Sequence, residues 1–372
     1  MYTINEVKTN DDLLRFIRCE GEIWRDDRTH ILQLESEEFE LLSDSNPMHR
    51  FCEVKLWTVQ DALGHTVGRI GTIINELINK KYGTRSGRFT RIAFIDDKEV
   101  SALLINTAKE WLRERGCETM DGPLGFCNLD RQGALTFGFD RVPCIASDHT
   151  PAYVVEHLTA LGFSPLQEWE EYRLDIRSKM PMTVNYICEN INSKHHIICR
   201  TLRDDEINSY VYKVFDIFNS SFTHLWGTFE FSDDVKDYYF STYKTMLRGQ
   251  NVVIAETEDG QLIGFTIWLP SLSNVMHRAK GRLSIIDKMN LFIQLRYNSV
   301  VDLLLSGIVP EWQGRGVAAL LIAEVWRQVR KIGAKYVETT AMLANNKTAT
   351  QIWRLFPHEQ HKRKMAYQIK IE

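Results

Sequence analysis

The sequence lacks the paired cysteines of a metal or disulfide framework. Its seven cysteines are scattered, and none stands in a Cys-x-x-Cys pair, so a zinc knuckle is not expected and we predict no metal site. Reduced thiols are typical of the cytoplasm. No stretch approaches the ~18–20 apolar residues of a membrane span, and the first residues lack the layout of a signal peptide. We therefore expect a cytoplasmic protein without a membrane span.

A strong excess of one charge is also missing. The chain has 45 Lys and Arg against 49 Asp and Glu, a formal net charge of −4. This balance gives no footprint for nucleic acid or for an anionic membrane. Hydrophobic residues make up 44% and charged residues 25%, as in ordinary globular proteins. A length of 372 residues favours two domains.

Two segments of similar length end in similar strand-like runs, Glu170–Ile176 and Met365–Ile371. A candidate linker, Arg177–Thr183, follows the first run. The similarity suggests two copies of one α/β architecture, with domains at 1–177 and 178–372.

Local patterns repeat in the same order in the two halves. In the first half they predict a hairpin over 51–75, a strand over 89–95 and an amphipathic helix over 99–115. In the second half they predict a helix capped by Asp204 or Asp205, a hairpin over 251–269, a strand over 300–309, a helix over 317–330 and a strand over 336–341. Only the second half contains an additional stretch, Ser271–Ser299, which we expect to form a partly helical lid on the acceptor side.

A short glycine-containing turn lies between the strand that ends near Pro310 and the helix that begins at Val317. The first amides of a helix have no intrahelical partners and carry the positive end of its dipole. Gly314 and Gly316 allow a ligand to approach the backbone closely, and Arg315 can add positive charge. This arrangement predicts a site for a pyrophosphate.

The glycine pair alone is also compatible with a tight turn or with a fragment of another nucleotide loop. A third Rossmann glycine and a Gly-Lys-Ser/Thr sequence are both absent. The longer pattern Gln313-x-x-Gly316-x-Ala318 resembles the CoA pyrophosphate loop of the GNAT N-acetyltransferase superfamily. The run Asn346–Trp353 resembles the Asn-x-x-Ala-x-x-Leu-Tyr helix of that family.

The resemblance implies two tandem GNAT-like domains, each with a mixed, mostly antiparallel central sheet flanked by helices. It implies acetyl-CoA, or another acyl-CoA, as co-substrate and a small-molecule or peptide amine as acceptor, which attacks the thioester directly. Nucleic acid is not an expected partner. The residues that the resemblance places at CoA are Ile308, Val309, Gln313, Gly314, Arg315, Gly316, Val317, Ala318, Asn346 and Trp353.

The catalytic groups are less clearly indicated. Trp353 stands where many members have an acidic tyrosine, and we expect it to pack beside CoA without donating a proton. Tyr336 and Tyr367 are spare acids. Asp302 and Glu338 are candidate bases, although a solvated or capping role is the more common one for such a carboxylate. A non-catalytic acyl-CoA-binding module and a transferase for longer acyl chains remain alternatives.

The first half departs from the pattern of the phosphate loop. At the corresponding position it has Asp96, Asp97 and Glu99 and no glycine. These carboxylates can satisfy the free amides of the helix and would repel a pyrophosphate. We therefore expect one CoA per chain, bound by the second half.

Overall fold

The computed structural model describes all 372 residues, and they form two compact units. Unit 1 consists of Met1–Trp169, Ser273–Lys288 and Lys362–Glu372. Unit 2 consists of Glu170–Leu272 and Met289–His361. Each unit is thus assembled from separate stretches of the chain.

Fourteen strands and twelve α-helices are numbered along the chain. The strands are β1 (Thr3–Glu6), β2 (Cys52–Gln60), β3 (Thr66–Asn75), β4 (Ser86–Phe94), β5 (Thr119–Gly122), β6 (Ala134–Phe137), β7 (Ser164–Asp175), β8 (Ile198–Thr201), β9 (Val252–Glu256), β10 (Leu262–Pro270), β11 (Val300–Ile308), β12 (Tyr336–Thr339), β13 (Met342–Leu343) and β14 (His358–Lys370). The helices are α1 (Asn10–Ile23), α2 (Glu35–Leu42), α3 (Glu76–Tyr82), α4 (Lys98–Glu114), α5 (Ala152–Ala160), α6 (Met182–His195), α7 (Ile207–Phe222), α8 (Asp233–Lys244), α9 (Ser273–Ala279), α10 (Ile285–Gln294), α11 (Val317–Lys331) and α12 (Lys347–Thr350).

The sheet of unit 1 has the order β1-β2-β3-β4-β5-β14, and β6 pairs with β14. Only the β4–β5 pair is parallel. The apolar stripe of α4 packs on this sheet, where Val100, Leu104 and Leu112 are fully buried. This packing follows from the helical spacing of those residues.

The sheet of unit 2 has the order β7-β12-β11-β10-β9-β8, with β11–β12 as its parallel pair. Its main core contains α11 residues such as Trp326 and Val329 together with the sheet residues Val301 and Val337. Each unit therefore has six strands in equivalent order and one parallel pair. The prediction of two copies of a mixed, mostly antiparallel sheet flanked by helices is confirmed.

The last strand of each sheet comes from the other half of the sequence. In unit 2, Asp175 of β7 is opposite Tyr336. In unit 1, Tyr367 of β14 is opposite Gly122. The predicted domains 1–177 and 178–372 follow chain order, whereas the compact units exchange these strands.

The predicted cap of α7 is wrong. The helix begins at Ile207 after Glu206, and no side chain caps it. Asp204 instead accepts a hydrogen bond from the Gly249 amide at 2.6 Å, and Arg203 pairs with Asp205 at 3.1 Å. Asp204 is therefore engaged by a backbone amide outside the helix, and Asp205 by a guanidinium.

The stretch Ser271–Ser299 is partly helical, as predicted, and contains α9 and α10. Within unit 1, Ser273 donates to the Pro143 carbonyl at 2.7 Å, and the Gly281 carbonyl accepts from the Glu35 amide at 2.9 Å. These bonds anchor the beginning of the stretch. Its action as a lid stays a prediction.

None of the helices combines the length and the apolar character that crossing a membrane requires.

Candidate functional site

The predicted strand, turn and helix around the glycine pair are confirmed. β11 ends at Ile308, and α11 begins at Val317. Gly314 and Gly316 have φ values of 72° and 98°, in the left-handed region that favours glycine. No side chain caps α11, so its first amides remain open to a ligand.

Internal contacts hold this glycine loop. The Gln313 amide group donates to the Ile308 carbonyl at 3.0 Å, and the Ser221 hydroxyl donates to the same oxygen at 2.8 Å. The Arg315 guanidinium lies 5.7 Å from the ring centre of Trp312. A Cβ on Gly316 would lie 3.1 Å from Ile187 of α6. Contacts within unit 2 therefore fix the shape of the loop.

A gap between β11 and β12 leads toward this loop. Their parallel pairing runs only from Val300 to Leu303, and the Thr340 hydroxyl then donates to the Leu304 carbonyl at 3.0 Å. Leu304 is the extra residue of a bulge, because Leu303 and Leu305 face consecutive residues of β10. Beyond it, β11 pairs with β10 alone. One backbone edge of 305–308 thus faces the gap.

The two candidate bases lie side by side near the closed end of the gap. Asp302 is opposite Glu338 in the parallel pair, and both side chains are buried. Burial, and then the charge of Glu338, raise the pKa of Asp302 well above its usual value of 3.8. Arg173 lies 3.4 Å from Glu338 and stacks over Tyr336. The carboxyl group of Asp302 is therefore prepared to hold a proton beside an arginine-paired carboxylate.

The predicted residues after β12 have structural roles in unit 2, Asn346 as a helix cap and Trp353 in the core. Asn346 precedes the short helix α12, and its side chain accepts from the Ala349 amide at 3.3 Å. Trp353 is buried in the main core, and its indole N–H donates to the Met342 sulfur at 3.4 Å. Contact of either residue with CoA stays a prediction. The spare acid Tyr367 is buried in the core of unit 1, and burial raises its pKa.

The corresponding helix start in unit 1 is closed by a carboxylate. Asp97 caps α4 and accepts from the amides of Glu99 at 2.8 Å and Val100 at 3.4 Å. The Tyr2 hydroxyl donates to Asp97 at 2.9 Å, and this bond lowers the pKa of Asp97. The prediction that carboxylates satisfy these amides is confirmed. Negative charge therefore occupies the place where unit 2 has open amides.

Sequence reasoning missed a charged cavity of about 420 Å³ in unit 1. Glu20 binds Arg69 there and lies 3.2 Å from His30, and Glu38 lies 3.2 Å from Arg91. Arg91 has a left-handed backbone at a bulge of β4. The lining residues range from Ile17 to Arg282, and no local motif joins them. A local peculiarity of the lining is the positive φ of Arg91, and a backbone angle of a non-glycine residue cannot be predicted from the sequence.

The chain is similar to two curated bacterial proteins and to solved structures. No protein-family model matches the chain. Protein YghO of Escherichia coli (strain K12) is 27% identical over 372 residues, covering 97% of this chain and 93% of its own. A bacterial ceramide synthase of Caulobacter vibrioides (strain NA1000 / CB15N) is 25% identical over 355 residues. The match covers 93% of this chain and 91% of the synthase.

Among solved structures, a tandem GNAT protein from the clavulanic acid biosynthesis pathway superposes with a TM-score of 0.57. The match covers 100% of this chain and 99% of that one at 13% identity. At this identity the likeness concerns the fold.

Proposed function

Because this chain has the tandem GNAT fold, we propose that unit 2 transfers an acyl group from an acyl-CoA to an amine. The observation that carries the proposal is the uncapped start of α11, with its two left-handed glycines, at the end of the β11–β12 gap. Open amides there suit the pyrophosphate of CoA. The gap then offers a path for the extended arm that carries the thioester.

The residues around the gap suit direct acyl transfer. Backbone amides on the free edge of 305–308 can donate to the oxyanion that forms when the amine attacks the thioester carbonyl. A C–N bond forms, the C–S bond breaks, and the leaving thiolate takes up a proton. The amine must lose its own proton to attack, and Glu338, which pairs with Arg173 and lies beside the proton-holding Asp302, is the candidate acceptor of that proton.

The bacterial ceramide synthase relative supports a narrower proposal for the substrates. Ceramide is the amide of a fatty acid and a long-chain amino alcohol. We therefore infer a fatty acyl-CoA donor and a long-chain amino alcohol acceptor, in place of acetyl-CoA and a small polar amine. The similarity extends over both units, since the match covers 93% of this chain.

Release of the free CoA thiol tests the proposal. The full chain is assayed with palmitoyl-CoA or acetyl-CoA, each combined with sphinganine or spermidine, and the products are identified by mass spectrometry. We expect N-palmitoyl-sphinganine as the main product. A preference for acetyl-CoA and spermidine would support an N-acetyltransferase and contradict the lipid assignment. CoA binding without turnover of any amine would instead support the non-catalytic binding module.

A further inference from the structure

Helix α10 presents an unusually apolar surface to solvent. None of its ten residues is buried. Ile285 is 80% exposed, Ile286 70% and Met289 64%, and Phe292 and Ile293 are more than half exposed. Tyr297, just beyond the helix, is 73% exposed. A contiguous patch of this kind on a folded chain marks an interaction surface.

The apolar residues share one face of the helix. Positions 285, 286, 289, 292 and 293 recur at intervals of three and four, which places them on a single stripe. The polar residues Asp287 and Gln294 lie on the opposite side. Ser284 and Asp287 cap the helix reciprocally, at 3.0 and 3.1 Å, so the stripe is a defined helical face.

Basic side chains are frequent in the segment that carries this stripe. Between Ser273 and Ser299 the only carboxylate is Asp287. The exposed cations of the same segment are Arg278, Lys280, Arg282, Lys288 and Arg296. Arg282 pairs with Glu35 at 2.7 Å, whereas the Arg296 guanidinium lies 4.3 Å from the ring centre of Phe292. The segment is therefore locally basic although the whole chain has a formal net charge of −4.

We propose that α10 docks the protein on an anionic lipid surface, lying in the headgroup region with its apolar stripe toward the acyl chains. An exposed apolar helical face with flanking lysine and arginine is the chemistry of an interfacial helix. Each basic residue near the surface adds attraction to anionic headgroups. A second copy of the chain fits less well, because a two-fold contact through this face would bring Lys288 and Arg296 of both copies together.

Vesicle co-sedimentation of the full chain tests this proposal. The vesicles contain phosphatidylcholine alone or a 7:3 mixture of phosphatidylcholine and phosphatidylglycerol. We expect binding to the mixed vesicles that weakens as salt is added. Replacing two stripe residues, Ile286→Gln with Ile293→Gln, should lower the partition coefficient at least tenfold. Replacing the two cations on and next to α10, Lys288→Gln with Arg296→Gln, should remove most of the preference for the anionic mixture.

The matched control is Leu63→Gln with Met182→Gln. These residues are 81% and 87% exposed and lie outside the segment, so binding should be unchanged. Absence of wild-type binding, or an equal loss in the control, would overturn the proposal. So would a dimer, seen by light scattering, that the stripe substitutions dissociate. The readout is independent of acyl transfer, so vesicle binding by an inactive protein would contradict the proposed function and leave the docking surface standing.

Discussion

At the scale of single residues, Asp302 couples the stability of unit 2 to pH. Burial and the nearby Glu338 raise its folded pKa above the ordinary 3.8. Between these two values the folded state keeps a proton that the unfolded state has lost. The contribution of Asp302 is therefore fully present below about pH 4 and is lost as pH rises through the folded pKa.

Asp302→Asn should remove this dependence. We expect the difference in melting temperature, variant minus wild type, to increase from pH 4 to pH 8 by a few °C. Thermal melts followed by circular dichroism measure it. Glu258→Gln, on the exposed turn after β9, is the control and should give a flat difference. A flat difference for Asp302→Asn would mean that this carboxyl does not hold the proton.

Gly316 is the residue on which the proposed CoA site most depends. Gly316→Val places a branched side chain at a φ of 98° and close to Ile187, and it should weaken CoA binding by at least about 100-fold. Titration calorimetry measures the affinity and should give one CoA per wild-type chain. Gly333→Val introduces similar strain at the other end of α11, at a φ of 79° with open space around it, and should leave binding intact.

Asp97→Ala tests the complementary side of the same prediction. It opens the start of α4 in unit 1, and CoA binding to the chain should remain unchanged. A wild-type stoichiometry of two, or binding that survives Gly316→Val, would contradict a single site in unit 2.

Trp353 is expected to have a packing role only. Trp353→Phe keeps an aromatic ring in the core of unit 2 and loses the N–H bond to Met342. Turnover should therefore stay within about tenfold of wild type. A loss beyond about 100-fold with unchanged CoA affinity would instead assign the indole a part in the chemistry.

At the scale of elements, the sequence predicts best what depends on neighbouring residues. The start of α11 can be predicted from the sequence because the strand, the glycines and the apolar helix follow one another within a few positions. The cap by Asp97 can also be predicted, because the carboxylate directly precedes the helix that it caps. The cap expected from Asp204 fails because its actual partner, the Gly249 amide, lies far along the chain.

Helix α10 shows a different limit of prediction. Its apolar stripe is readable, but the same spacing is typical of a helix that packs against a core. Exposure depends on which surfaces the rest of the fold leaves uncovered. The net charge of the whole chain, −4, also gives no indication that the segment around α10 is locally basic.

At the scale of the whole molecule, the exchanged strands predict that the two halves of the sequence do not fold separately. A fragment of residues 178–372 lacks β7, whose Leu174 is buried in the core of unit 2. We expect this fragment to melt without a cooperative transition, whereas residues 164–372 should regain one. Addition of a peptide of residues 164–177 should partly restore the shorter fragment. A fully cooperative melt of residues 178–372 alone would contradict the structural need for β7.

The position of β14 also sets an order of events during synthesis. Lys362–Glu372 are translated only after the whole of unit 2, so β5 lacks its neighbour β14 during that interval. At ~5–20 residues per second this interval is on the order of ten seconds or more. During that time the nascent chain carries an open strand edge, which other chains can pair with. Synthesis of unit 1 thus begins before that of unit 2 and is completed after it, so the edge of β5 stays open throughout the translation of unit 2.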